Sequence, residues 1–236
     1  MINKLKEEIA KISNPEKAKL LQRFFKTGKG EYGEGDIFLG ISVPEQREIA
    51  KEFFNKLSLD DIQILLNSKF HEERLIGLLI LTDKYKKTDN KESIVNFYLK
   101  NAKNSRINNW DLVDLSCHKI VGDYLIDKDR KILYELLKGN LWEKRIAVVS
   151  CFAFIRENDF KDSLQIAELL LNDKRDLIHK AVGWMLREVG KKDADVLRNF
   201  LNQHCSSMPR VMLRYSIEKF DESERRKYMI SQDTNV

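Results

Sequence analysis

Apolar residues recur along this chain at spacings of three and four, and strict alternation over strand lengths is hard to find, which predicts an almost wholly helical protein. The periodicity predicts helices over Asn3–Ile12, Pro15–Lys26, Val43–Leu57, Leu59–Asn67, His71–Lys86, Lys91–Lys103 and Asn109–Ile126. It predicts further helices over Arg130–Lys138, Leu141–Arg156, Lys161–Leu171, Asp176–Gly190, Ala194–Gln203 and Pro209–Phe220. Most connections are short, as packed antiparallel helix pairs require. One is not. Gly28, Gly30, Gly33, Gly35 and Gly40, half of the ten glycines, lie in a single stretch and predict a loop with its own shape. Helix resumes at Ser42-Val-Pro-Glu45, a capping-box spacing with proline in the first turn, where a missing N–H does no harm.

The helices also repeat. Arg74, Arg145, Lys180 and Arg214 each stand near the head of an apolar helix, and they are separated by 71, 35 and 34 residues (145 − 74, 180 − 145, 214 − 180). The gap of 71 is close to twice 35, so a further unit is expected near residue 109 or 110. There the chain reads Asn109-Trp110-Asp111-Leu112-Val113-Asp114, with an aromatic and carboxylates in place of a cation. Two-helix units of this length stack into a solenoid. The predicted fold is all-α, a HEAT-like helical-repeat superhelix (an α-solenoid) with a concave basic groove, spanning residues 1–236 as one domain. Residues 221–236 are expected to form a short terminal helix and a frayed tail at Ser231–Val236.

Composition narrows the picture. The 236 residues carry 42 Lys and Arg against 37 Asp and Glu, a net charge of +5, with 42% hydrophobic and 33% charged residues and only 3 Pro. Such a chain buries a core and is not disordered. No run approaches the roughly 20 apolar residues of a membrane span, and Met1–Lys6 leads into an amphipathic segment. A cytoplasmic monomer with no membrane partner is expected. Cys117, Cys151 and Cys205 are odd in number and far apart, so they read as apolar fillers. The charge of +5 is too small to name a partner, but four cations in one register can form a local basic stripe spaced to follow a phosphate backbone. An acidic protein could use the same stripe.

Trp110 and Asp114 stand four residues apart and share a helix face, so a carboxylate sits beside an aromatic wall, whereas Asp111 points elsewhere. A core tryptophan and a capping carboxylate would give the same spacing. Lys180 and Trp184 share a face too, and Gly183 between them implies close approach of a backbone, a neighbouring helix being the plain candidate. Trp142 reads as core. His71, His118, His179 and His204 have no metal-ligand spacing, the loop glycines do not form a phosphate-binding motif, and no Ser/His/Asp nucleophile can be assembled from spacing. No cofactor is expected.

Taken together, several stretches resemble the bacterial DNA alkylation repair family of AlkD-type DNA glycosylases. They are Gly30–Pro44, Asn109–Asp114, Leu141–Arg145, His179–Gly190 and Met208–Tyr215, in the family's order along most of the chain. The resemblance implies that Asp114 is the catalytic carboxylate, that Trp110 and Trp184 are the site tryptophans, and that Arg145 contacts the DNA backbone. It implies excision of cationic N3- or N7-alkylated purines from double-stranded DNA containing alkylated bases, without flipping the base out. Lys180, Arg74 and Arg214 would join Arg145 in binding DNA. Two other readings stay open: a non-catalytic binder of duplex or distorted DNA, and a HEAT-type protein-interaction scaffold.

Overall fold

The computed structural model describes residues 1–233. Among them the fold is made of fourteen α-helices and one π-helical turn, with no strand and a single isolated parallel bridge between Ile37 and Phe70. The helices are α1 (Ile2–Lys11), α2 (Pro15–Phe24), α3 (Val43–Phe53), α4 (Leu59–Leu66), α5 (His71–Lys87), α6 (Lys91–Lys103) and α7 (Trp110–Asp114). After the π-helical turn (His118–Gly122) follow α8 (Lys131–Leu136), α9 (Leu141–Arg156), α10 (Lys161–Leu169), α11 (Asp176–Lys192), α12 (Ala194–His204), α13 (Arg210–Ser216) and α14 (Glu222–Asp233). α14 is the terminal helix expected from the sequence. Of the frayed tail predicted at Ser231–Val236, residues 234–236 lie outside the described residues.

One predicted helix is corrected. Asn109–Ile126 does not run through: α7 ends at Asp114, a turn follows, and a π-helical turn begins at His118. Ser116 explains the break. Its hydroxyl bonds the Leu112 carbonyl at 2.5 Å and lies 2.9 Å from the Tyr98 hydroxyl, while its amide donates to Val113 O at 3.1 Å, so local side-chain bonding replaces the regular ladder. Several other predicted helices end early. α3 stops at Phe53 and α13 at Ser216, where the Ser216 hydroxyl turns back onto Leu213 O at 2.7 Å.

The chain divides into two compact units, Met1–Ser116 and the residues from Cys117 onward. In the first, α5 is the central element. It packs against α3, α4, α6 and α7 and is buried on nearly every side from His71 to Thr82, as a helix enclosed by others must be. In the second, α9 packs against the π-helical turn, α8, α10 and α11, and α11 packs against α13 and α12. A Cβ on Gly183 would lie 2.5 Å from Tyr215 Cβ and 2.6 Å from Met212 O, so the close approach foreseen there is that of α13. Trp142 is buried, as read. Cys117 and Cys151 are buried thiols and Cys205 is half-buried. Burial pushes the Cys151 thiol up to about 12, which makes it a hydrophobe rather than a nucleophile.

The repeat survives in the second unit's helix starts. α9, α11 and α13 begin at residues 141, 176 and 210, which are 35 and 34 apart. Arg145, Lys180 and Arg214 are each the fifth residue of their helix. Asp114 is likewise the fifth residue of α7, and Arg74 is the fourth of α5.

Candidate functional site

The loop from Gly28 to Gly40 ends against the head of α5, and this junction seats the candidate site of the first unit. Four consecutive ionisable residues open α5, His71-Glu72-Glu73-Arg74, and all four are buried. Buried charge is tolerated only when it is paired and hydrogen-bonded. All four find partners in other segments of the chain, His71 and Arg74 sharing Asp36. Glu72 accepts from the amides of Leu39 and Gly40 at 2.9 Å and of Ile41 at 3.3 Å. Glu73 pairs with Lys6 at 3.2 Å. Arg74 Nη2 donates to Asp36 Oδ1 at 2.5 Å. His71 stands between two carboxylates, with Nδ1 3.0 Å from Asp36 Oδ2 and Nε2 2.8 Å from Asp111 Oδ2. Gly40 has to be glycine here: its φ is +82°, and a Cβ would fall 2.1 Å from Asn14 O.

The electrostatics follow from these distances. Burial disfavours charge on His71, yet Asp111 and Asp36 outweigh it and raise its pKa from 6.5 to about 9. Burial also works against the Asp36 carboxylate, but hydrogen bonding from His71, the Arg74 charge and the Asn109 amide bring it down to about 2. The imidazolium sits in a cluster of three rings, the two phenylalanines themselves 4.7 Å apart. Phe38 stacks on His71 at 4.4 Å between centroids, and Phe25 lies 5.1 Å away.

This network carries α7. Asn109, fully buried, caps the helix by accepting from the Trp110 amide at 2.8 Å and donates its own side-chain N–H to Asp36 at 3.0 Å. Asp111, on the other side of Trp110, holds His71. The Trp110 ring stacks on Phe25 at 5.0 Å with planes 6° apart, and the exposed Phe24 meets it edge-on at 6.1 Å. Trp110 and Asp114 are both half-buried, at the two ends of this five-residue helix.

In the second unit the candidate residues differ in exposure. Arg145 is buried, and its Nη1 donates to Leu177 O in the first turn of α11 at 2.5 Å. Lys180 pairs with Asp176 one turn earlier at 2.6 Å and lines a pocket of about 480 Å³ together with Arg214, Tyr215, Val211 and Glu218. Arg214 is exposed. Trp184 is half-buried, 6.1 Å from the Phe152 ring, and its indole N–H donates to Glu188 at 3.2 Å. The basic stripe is therefore uneven. Arg74 and Arg145, read from the sequence in one register with Lys180 and Arg214, are instead buried, Arg74 against Asp36 and Arg145 against Leu177 O, while Lys180 and Arg214 open onto a shared pocket.

The sequence model of DNA alkylation repair enzymes matches residues 5–220. The chain belongs to that family. Among solved structures, one described as "Predicted DNA alkylation repair enzyme from Enterococcus faecalis" aligns with a TM-score of 0.70 over 89% of this chain and 97% of its own, at 17% identity. At that identity the likeness establishes the helical-repeat fold. No curated protein sequence matches the chain.

Within this DNA alkylation repair family member, His71, Asp36 and Asp111 are the residues that sequence reasoning missed. Spacing sets His71 only against metal-ligand patterns, and it places Asp111 off the helix face that Trp110 and Asp114 share. The signal that could have found them is the run His71-Glu-Glu-Arg74 itself. Four adjacent ionisable residues leading into an apolar helix cannot all face solvent on one side of that helix. No described helix is long and apolar enough to cross a membrane.

Proposed function

We propose that this protein is a monofunctional DNA glycosylase that hydrolyses the N-glycosidic bond of cationic N3- or N7-alkylated purines in duplex DNA. The observation that carries the reading is the pairing of Trp110 and Asp114 on one short, externally braced helix in a member of the DNA alkylation repair family. Asp114 supplies the carboxylate and Trp110 the aromatic wall; Trp184 is the second site tryptophan, and Lys180 and Arg214 are contacts to the DNA backbone. The protein acts as a soluble cytoplasmic monomer on double-stranded DNA.

The chemistry needs little more. An alkylated purine that already carries positive charge departs as a neutral base, so no general acid is required on the leaving group, in contrast to the paired carboxylates of most sugar hydrolases. Positive charge develops on the deoxyribose as the C1′–N bond breaks, and a fixed carboxylate stabilises it. Asp114 can also orient the attacking water. Indole faces add roughly 0.5–2 kcal/mol each as cation–π contacts. Acting on the sugar without flipping the base into a tight pocket, the enzyme would accept bulky adducts.

The test is release of 7-methylguanine from methylated duplex DNA under single-turnover conditions. Asp114→Asn should slow release by about 10²–10³-fold while leaving DNA binding intact, the usual consequence of losing one preorganised electrostatic stabiliser. Equal rates from the two proteins would remove Asp114 from the reaction. Salt-dependent binding with no release from either would make the protein a non-catalytic DNA binder.

A further inference from the structure

α7 has only five residues, too few to hold a helix on their own, so its orientation has to be imposed from outside. What imposes it is visible. Asn109 and Asp111 flank Trp110, and both are tied into the buried charges of the loop and α5, Asn109 to Asp36 and Asp111 to His71. The Trp110 ring rests on Phe25, which itself lies against His71 and Phe38. We infer that Asp36, His71 and Asp111, braced by Arg74 and Asn109, are positioning residues that fix the seat of α7 and through it the pose of Trp110 and Asp114. This rests on the reading of Trp110 and Asp114 as site residues.

Proton bookkeeping supports a lock rather than a loose cluster. Both ring nitrogens of His71 face carboxylate oxygens, and ionised carboxylates only accept. The ring must therefore donate from both sides, as an imidazolium. All four carboxylate oxygens have donors: Asp36 Oδ1 from Arg74, Asp36 Oδ2 from His71 and Asn109, Asp111 Oδ2 from His71, and Asp111 Oδ1 from the Leu112 amide at 2.9 Å. Two cations balance two anions. Buried ion pairs add little net stability over an apolar core of the same shape, so their effect lies in selecting one geometry. The Phe25 and Phe38 rings also face His71, and they do not titrate.

The experiment has two readouts. The chain has three tryptophans, so Trp142→Phe with Trp184→Phe leaves Trp110 as the sole indole emitter. In that background Trp110 emission should show a transition near pH 9, where His71 loses its proton, and His71→Gln should abolish it and shift the emission at neutral pH while the far-UV dichroism stays helical. With all three tryptophans restored, His71→Gln should lower kcat for 7-methylguanine release by about 10²-fold and leave KM within about twofold, because a displaced group costs the chemical step more than binding. A folded His71→Gln protein with unchanged Trp110 emission and titration, or with wild-type kcat, overturns the assignment. Should His71→Gln not fold, Asp111→Asn takes its place with the same readouts. If both variants fail to fold, the charges hold the fold itself and the positioning role falls. If no protein releases base at all, the proposed activity falls, and the Trp110 titration still decides the lock.

Discussion

The heads of α5 and α11 carry cations in nearly the same register and use them in opposite ways. At the head of α5, Arg74 and His71 are buried and paired with carboxylates 35 to 40 residues distant in sequence. At the head of α11, Lys180 remains 40% exposed at its side chain and pairs with Asp176 on its own helix. Periodicity sees the two positions as equivalent. What separates them is whether a distant segment brings a carboxylate, and in the first unit Asp36 and Asp111 do. A cation's place in a repeat fixes which way it leaves the helix, while its partner decides whether it stays in water.

That contrast can be broken or sharpened by measurement. The largest effect is expected from Arg74→Met, which leaves Asp36 with a buried charge short of its partner and should cost about 3–5 kcal/mol in denaturant unfolding. The same substitution at Lys180 should cost about 0.5 kcal/mol or less, and equal losses at the two sites would erase the distinction. Next comes pH. His71 has a raised pKa in the folded protein, so its contribution is fully present below about pH 6.5 and is lost as pH rises through about 9, a change of about 3 kcal/mol. Asp36, with a lowered pKa, acts in the other direction, contributing above pH 3.8 and losing that contribution as pH falls toward about 2. Stability curves of the wild type should therefore decline on the alkaline side, and those of His71→Gln should lack the His71 portion of that decline.

Smaller effects probe the inner face of α11. Gly183→Ala forces a methyl against Met212 O and Tyr215 and should lower stability by about 1–3 kcal/mol, showing that tolerance at the α11 head is confined to its exposed side. Least of all, Lys180→Ala and Arg214→Ala should leave the melting transition nearly unmoved, each reducing the slope of log affinity for duplex DNA against log salt by about one. Unchanged slopes would separate the pocket they line from DNA.

Much of this architecture was legible in the chain. The three-and-four spacing marks nearly every helix, the steps of 35 and 34 recur in the starts of α9, α11 and α13, and Gly183 and Trp142 have the packing roles their contexts implied. The candidate site was legible only in part. Trp110 and Asp114 stand out as an interruption of a basic register, but spacing assumed a long helix there, and Ser116 ends it after five residues. The Asp36–His71–Asp111 network was hidden for a different reason. Its members lie in a glycine-rich loop, at a helix start and in the helix that follows, and no periodicity links positions that meet only through tertiary folding.

The loop before α3 is two structures in series. From Gly28 to Gly35 it bonds largely to itself and to the end of α2, with Gly28 and Gly30 amides held by Glu31 and Glu34 and the Gly33 amide on Lys26 O. From Asp36 to Ile41 every residue is fastened to α5, to the residues just before it or to the aromatic stack. Chain-length tolerance should divide at the same place. Extra residues among 28–34 lengthen an already closed loop at an entropic cost of a few tenths of a kcal/mol. One residue inserted among 36–41 would shift the frame of the Glu72 cradle, and α7 would lose its anchor with it.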